Sequence, residues 1–193
     1  MAKIKVILGT TRDARVGRKI ADWVMESSKE IDGSEFELID LKDYNIPFFN
    51  LPISPAYKEP EYDANQKALQ EKIDEADGFI FITPEYNHGY TSVLKNVLDT
   101  YYNEWRIKPA TFVSYGGISG GIRAVESLRL VLIELQMVPI RSSVHIPFIF
   151  NQFNEDGLLK EETKEASNLK ATLEDISWWS NILKNPRGDR LKV

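Results

Sequence analysis

Gly78-Phe79-Ile80-Phe81-Ile82-Thr83 is apolar at odd and at even positions alike. A strand with one wet face alternates, so a stretch without alternation predicts a strand covered by helices on both sides, the pattern of a parallel sheet. Outward from it, four more extended stretches differ in how much charge they carry. Ile4 to Leu8, interrupted by Lys5, and Ala110 to Tyr115, with the small hydroxyl residues Thr111 and Ser114, are also predominantly apolar, whereas Glu35 to Asp40 and Val138 to Ile146 are diluted by charged and polar residues. Diluted strands suit sheet edges. With the first, third and fourth strands inside and the second and fifth outside, the order is 2-1-3-4-5; a dinucleotide-type order would place the third strand, the least edge-like of all, at an edge.

Between the strands the apolar spacing becomes helical. Val16, Ile20 and Val24, then Leu69, Ile73 and Ala76, then Val93, Leu94, Val97, Leu98 and Tyr101, then Ala124, Leu128, Leu132 and Leu135 each mark one helix face. A fifth helix carries Leu169, Leu173, Ile176 and Leu183. Strands alternating with helices predict an α/β, three-layer, flavodoxin-like sandwich with a five-stranded parallel sheet. The chain of 193 residues is read as a single domain over 1–193, with 186–193 as a polar, frayed tail. From Leu41 to Tyr62 runs an irregular segment with four prolines and the aromatics Tyr44, Phe48, Phe49 and Tyr57, long enough to predict a lid, a ligand wall or a subunit contact.

Composition narrows the function. A net charge of -5 with both signs dispersed points away from nucleic acid and membrane surfaces as partners. The absence of cysteine excludes disulfides, thiolate metal sites and cysteine nucleophiles. The opening Met-Ala-Lys-Ile-Lys runs directly into a core strand, and no apolar run has spanning length, so a cytoplasmic protein is expected. No Gly-x-Ser-x-Gly elbow is present, and neither His88 nor His145 has partners at metal-ligand spacing, so no catalytic side chain and no metal is expected.

In a 2-1-3-4-5 sheet, ligands bind beyond the carboxyl ends of the strands where the winding reverses. Three loops arrive there. The first, Gly9-Thr10-Thr11-Arg12-Asp13-Ala14-Arg15-Val16-Gly17, joins a strand to a helix start and carries two hydroxyls and two guanidiniums, the groups a monophosphate would use. It lacks both the P-loop ending and the dinucleotide glycine pattern. A solvated arginine and a threonine cap fit the same residues, so this loop alone leaves both readings open. The second loop is Pro84-Glu85-Tyr86-Asn87-His88, and the third, Gly116-Gly117-Ile118-Ser119-Gly120-Gly121, exposes bare backbone. Taken singly, Tyr86 and Tyr115 fit core aromatics and Glu85 a helix cap. Together the loops suit a flat ring carrying a phosphate on a chain.

These motifs, with Leu94-Lys95-Asn96, resemble the NADPH-dependent FMN reductase family of flavodoxin-like flavoproteins, in family order from Lys3 to about Ile146. The resemblance implies an FMN-dependent oxidoreductase that takes hydride from NADPH or NADH. Its electrons would go to a small-molecule acceptor: a quinone, an azo compound, a metal oxyanion or free flavin. It implies that Thr10, Arg12 and Arg15, with the amides of Val16 and Gly17, hold the FMN phosphate. Pro84, Glu85, Tyr86 and Asn87 would line the ribityl chain and one ring edge; Tyr115, Gly116, Gly117, Ser119, Gly120 and Gly121 would approach from the other side. It further implies a homodimer or homotetramer built on the 41–62 loop and the third helix. Gly89-Tyr90-Thr91 departs from the family, which often has Ser before a helix-starting Pro there. The rival reading is a flavodoxin-like electron carrier or flavin-binding protein without its own NAD(P)H turnover.

Overall fold

The computed structural model describes residues 1–154, 159 and 164–190. Its sheet is parallel throughout: β1 (Ala2–Leu8) lies between β2 (Ser34–Asp40) and β3 (Gly78–Pro84), and β4 (Pro109–Tyr115) follows β3. The order is β2-β1-β3-β4-β5, where β5 is Val138–Pro139, with a further strand, β6 (Val144–Ile146), also paired to β4. Val6 faces Ile80 across β1 and β3, and Phe81 faces Phe112 across β3 and β4.

Every residue of β3 is buried. Its Phe79 and Phe81 pack with Leu69, Leu98, Trp105 and Leu128 on one face, the side of α2 (Ala64–Asp74), α3 (Ser92–Thr100) and α4 (Ile122–Glu134). Ile80 and Ile82 pack with Ile20, Val24, Leu169 and Leu173 on the other, the side of α1 (Gly17–Ser28) and α5 (Lys164–Arg190). Alternate residues of a strand point to opposite faces, so two covered faces require the uninterrupted apolar run. No helix among the described residues is long and apolar enough to cross a membrane.

One expectation is corrected. The fifth strand is broken into β5 (Val138–Pro139) and β6 (Val144–Ile146). Between them Ile140 N still donates to Ala110 O at 2.9 Å, and side chains then take over: Arg129 donates to Ile140 O at 2.7 Å, and Thr111 Oγ1 donates to Ser142 O. Of the tail expected from Pro186, residues 186–190 are the last part of α5; residues 191–193 lie outside the described chain. An internal proline removes a helix hydrogen bond, yet the flanking Lys184 and Arg187 both donate to the buried Asp77 carboxylate beside the start of β3. The irregular segment after β2 is fastened to α3 by Asn96, whose side chain accepts from Phe49 N at 2.8 Å and donates to Pro47 O at 2.9 Å.

Candidate functional site

At the carboxyl ends of β1, β3 and β4 lies a cavity of about 460 Å³. The loop after β1 forms one wall. Its Gly9 N–H donates to Ile82 O at 2.9 Å, and Thr91, which caps α3 by accepting from Leu94 N, donates its hydroxyl to Gly9 O. The cap is therefore Thr91 and not Glu85. Ala14 sits at φ +52°, an uncommon conformation for a residue with a Cβ, and turns the chain into α1. No side chain caps α1 at Val16, so the positive end of the helix faces the cavity with backbone donors left for a ligand.

The two arginines of this loop take different parts. Arg12 lies over the Tyr86 ring, 5.5 Å from its centroid, and among the described residues it enters no ion pair. Arg15 is already engaged: its guanidinium donates to Thr10 O and to the Asp40 carboxylate at the end of β2, and both members of that pair are largely buried. Arg15 reaches the cavity as a neutralised brace. Thr10 stands behind the wall, its hydroxyl 3.2 Å from Tyr86 Oη. Gly17 is also behind it: a Cβ there would meet Tyr115 Oη at 2.6 Å and Thr10 Cγ2 at 2.8 Å. Val16 lines the cavity.

Pro84 pairs with Tyr115 at the ends of their strands, and Glu85 N donates to Tyr115 O at 2.9 Å. Tyr86 and Gly89 then exchange backbone hydrogen bonds of 2.9 and 3.0 Å around Asn87 (φ +50°) and His88 (φ +67°). Positive φ at both central residues is the geometry of a type I′ turn, which asparagine tolerates well. Asn87 thereby serves the turn, while Pro84, Glu85 and Tyr86 line the cavity. The Glu85 carboxylate is held by Ser119 Oγ at 2.8 Å and ion-paired with Arg123 Nε at 3.0 Å.

Beside Pro84 and Glu85, Tyr115, Gly116 and Gly117 line the cavity. A Cβ on Gly117 would meet nothing within 4 Å. Gly120 (φ +59°) and Gly121 (φ +89°) serve the backbone path instead. A Cβ on them would strike Pro147 N at 3.0 Å or Ser114 Cβ at 2.6 Å, so their bare backbone lets the loop lie flat on β4 and β6. Ser119, Gly120 and Gly121 thus shape the loop without lining the cavity. Burial raises the Tyr115 phenol well above its ordinary value, with the neighbouring Tyr86 adding to the shift.

A fourth loop completes the wall. Phe148, Ile149, Phe150 and Asn151, after β6, line the cavity with Asp13 and Ala14, and sequence reasoning assigned none of these six. Phe148 N and Ile149 N donate to Gly117 O and Gly116 O, at 2.9 and 3.2 Å. The available signal was a phenylalanine-rich segment after the last strand, at the same carboxyl end of the sheet as the other loops. His145 is structural: Ser114 Oγ donates to Gly120 O and so accepts from His145 Nδ1, leaving Nε2 to accept from Ser143 Oγ at 2.9 Å. Burial, with nearby Arg129, holds this imidazole below its usual value.

Known proteins resemble this chain in sequence and in fold. The model of the NADPH-dependent FMN reductase family matches residues 2–151. An NAD(P)H-dependent FMN reductase of a Nectria species is 34% identical over 97% of this chain and 100% of its own length. An NAD(P)H:quinone oxidoreductase of Solanum tuberosum is 34% identical over 89% of each chain. Among solved structures, the NAD(P)H:(acceptor) oxidoreductase FerB of Paracoccus denitrificans superposes with a TM-score of 0.74 at 23% identity, covering 95% of this chain and 99% of that one, which shows a shared fold.

Proposed function

This chain belongs to the NADPH-dependent FMN reductase family, and from that membership we propose that the cavity beyond β1, β3 and β4 holds FMN and serves electron transfer from NADPH or NADH to a small-molecule acceptor of the quinone, azo or flavin type. The observation that carries the siting is Arg12: a guanidinium in no ion pair among the described residues, on a cavity wall beside an uncapped helix start. A phosphate at this place would meet one free positive charge and the backbone donors of α1.

When bound, the flavin supplies the redox chemistry, accepting hydride from the nicotinamide and passing electrons to the acceptor. The chain's own residues bind and orient. Arg12 and the amides near Val16 take the phosphate. Arg15 keeps the loop in shape by spanning Thr10 O and Asp40. The Tyr86 turn and the Tyr115 to Gly117 stretch form adjoining walls for the chain and ring, and Phe148 and Phe150 add apolar surface beside them. No side chain is asked to hold a covalent intermediate. The 41–62 loop, with Phe48 and Tyr57 exposed, is the surface assigned to pairing of subunits in a cytoplasmic homodimer or homotetramer.

Equilibrium dialysis with FMN, followed by initial rates of NADPH oxidation with a quinone, tests this reading. Saturable binding and parallel double-reciprocal lines are expected, because one open face serves donor and acceptor in turn. Absence of saturable FMN binding overturns the siting. Intersecting lines overturn the shared face.

A further inference from the structure

We infer that Arg123 is a positioning residue that sets how readily the cavity wall accepts negative charge, by neutralising Glu85; the inference rests on the flavin reading above. Glu85 is the one carboxylate of the cavity wall that is buried, with its side chain only 8% exposed, whereas Asp13, the other acidic lining residue, is 98% exposed. A buried carboxylate needs a countercharge and hydrogen-bond donors to stay ionised at tolerable cost. Ser119 Oγ supplies one donor at 2.8 Å, and the Arg123 guanidinium supplies the charge at 3.0 Å.

Arg123 stands in the first turn of α4, the end of a helix that does not favour a cation. It is nevertheless held from two sides, by Glu85 and by His88 Nε2, to which its Nη1 donates at 2.6 Å. His88 is the second left-handed residue of the turn that carries Tyr86. One guanidinium therefore links three elements of the site: the end of β3, the tight turn and the start of α4.

Hydride transfer delivers two electrons and one proton, so it adds one negative charge to whatever ring lies against this wall. A bare Glu85 carboxylate would oppose that charge through a medium of low dielectric, and the paired one opposes it far less. Arg123 thus favours the reduced ring over the oxidised one without touching either.

The test uses the full chain reconstituted with FMN and reads the midpoint potential of the bound flavin by spectroelectrochemistry, together with dissociation constants for oxidised and reduced FMN. Arg123→Gln is expected to weaken reduced FMN about tenfold more than oxidised FMN, a fall of about 30 mV for a two-electron couple. Arg123→Lys is expected to restore the potential, since it keeps the charge. Glu85→Gln is expected to raise it, and the double variant Arg123→Gln with Glu85→Gln to return it to the wild-type value. A purely structural role would shift both affinities together and leave the potential in place. An unchanged potential in Arg123→Gln, or no recovery in the double variant, overturns the inference. Should Arg123→Gln fail to fold, a Glu85→Gln potential at or below wild type overturns it equally. Failure of the wild-type chain to bind FMN at all would instead overturn the siting of the cofactor.

Discussion

The two ends of the sheet are built on opposite plans. At the amino end the charges are matched. Lys5, buried on β1, reaches both Glu37 and Glu75; Lys3 also pairs with Glu75, and Lys72 with Glu37. Asp77 is buried under Lys184 and Arg187, and Lys108 donates to Ile73 O and Asp74 O, the carbonyl end of α2. At the carboxyl end α1 starts without a side-chain cap and, among the described residues, Arg12 has no carboxylate, while left-handed residues occur at both ends, Ala14, Asn87, His88 and Phe148 here and Ile107 and Gln136 at the other. Strain of that kind costs roughly 1 to 3 kcal/mol per residue and persists where surrounding structure holds it. One end of the sheet is braced throughout, and the other, although Arg15–Asp40 and Glu85–Arg123 are paired there, keeps Arg12 and the start of α1 for a ligand.

If this division is right, the largest effect on folding comes from the amino end. Asp77→Ala removes the acceptor for Lys184, Arg187 and Lys3 N, and is expected to cost about 3 to 5 kcal/mol in urea denaturation. Dialysis of the remaining folded protein should give the wild-type FMN affinity. Lost affinity in that fraction would show that the two ends are coupled.

Lys108 offers a sharper version through pH. Burial lowers its ammonium from 10.5 to about 7. Between those values the unfolded chain keeps a proton that the folded chain has released, so stability should rise with pH. The slope is at most about 1.4 kcal/mol per unit, or up to about 3 kcal/mol between pH 7 and 9. Lys108→Met should abolish that rise when both proteins are unfolded in urea across this interval. A parallel rise in the variant would assign it to other groups.

At the carboxyl end, the two arginines should separate. Arg12→Ala is expected to weaken FMN by one to two powers of ten, the worth of a charge-assisted hydrogen bond at roughly 1.5 to 3 kcal/mol, and to leave riboflavin binding unchanged. Arg15→Ala removes a brace, so it should weaken FMN and riboflavin alike. The reverse pattern in titrations of the two ligands would exchange their roles.

The smallest effect lies in the exposed part of the amino-end network. Hydrogen bonds from Lys3 and Lys5 lower the Glu75 carboxyl to about 2. A folded value below the unfolded one stabilises the fold above about pH 4.5, and that contribution is lost as pH falls toward 2. Glu75 is about one-third exposed, so solvent screening should hold the loss of Glu75→Gln at pH 7 under about 1 kcal/mol. A larger loss in urea denaturation would mean that Lys5 depends on Glu75 far more than on Glu37.

Much of this molecule was legible in its sequence because the deciding signals are local. The uninterrupted apolar run of β3 reports burial on both faces, and burial on both faces fixes strand order. Strand order fixes which loops meet, and nine of the fifteen residues lining the cavity are among those that the family resemblance implies: Arg12, Arg15, Val16, Pro84, Glu85, Tyr86, Tyr115, Gly116 and Gly117. What the tertiary structure alone decided is how those residues are used. Arg15 finds Asp40 across 25 residues, and Ser119 finds Glu85 across 34. Phe148 closes the wall by donating its amide to Gly117 O, a contact that exists only once β6 lies beside β4. Periodicity tells each residue which face it occupies, since that depends on its neighbours in the chain. Whether a charge on that face is free or already paired depends on what the fold sets opposite it, and no local pattern carries that.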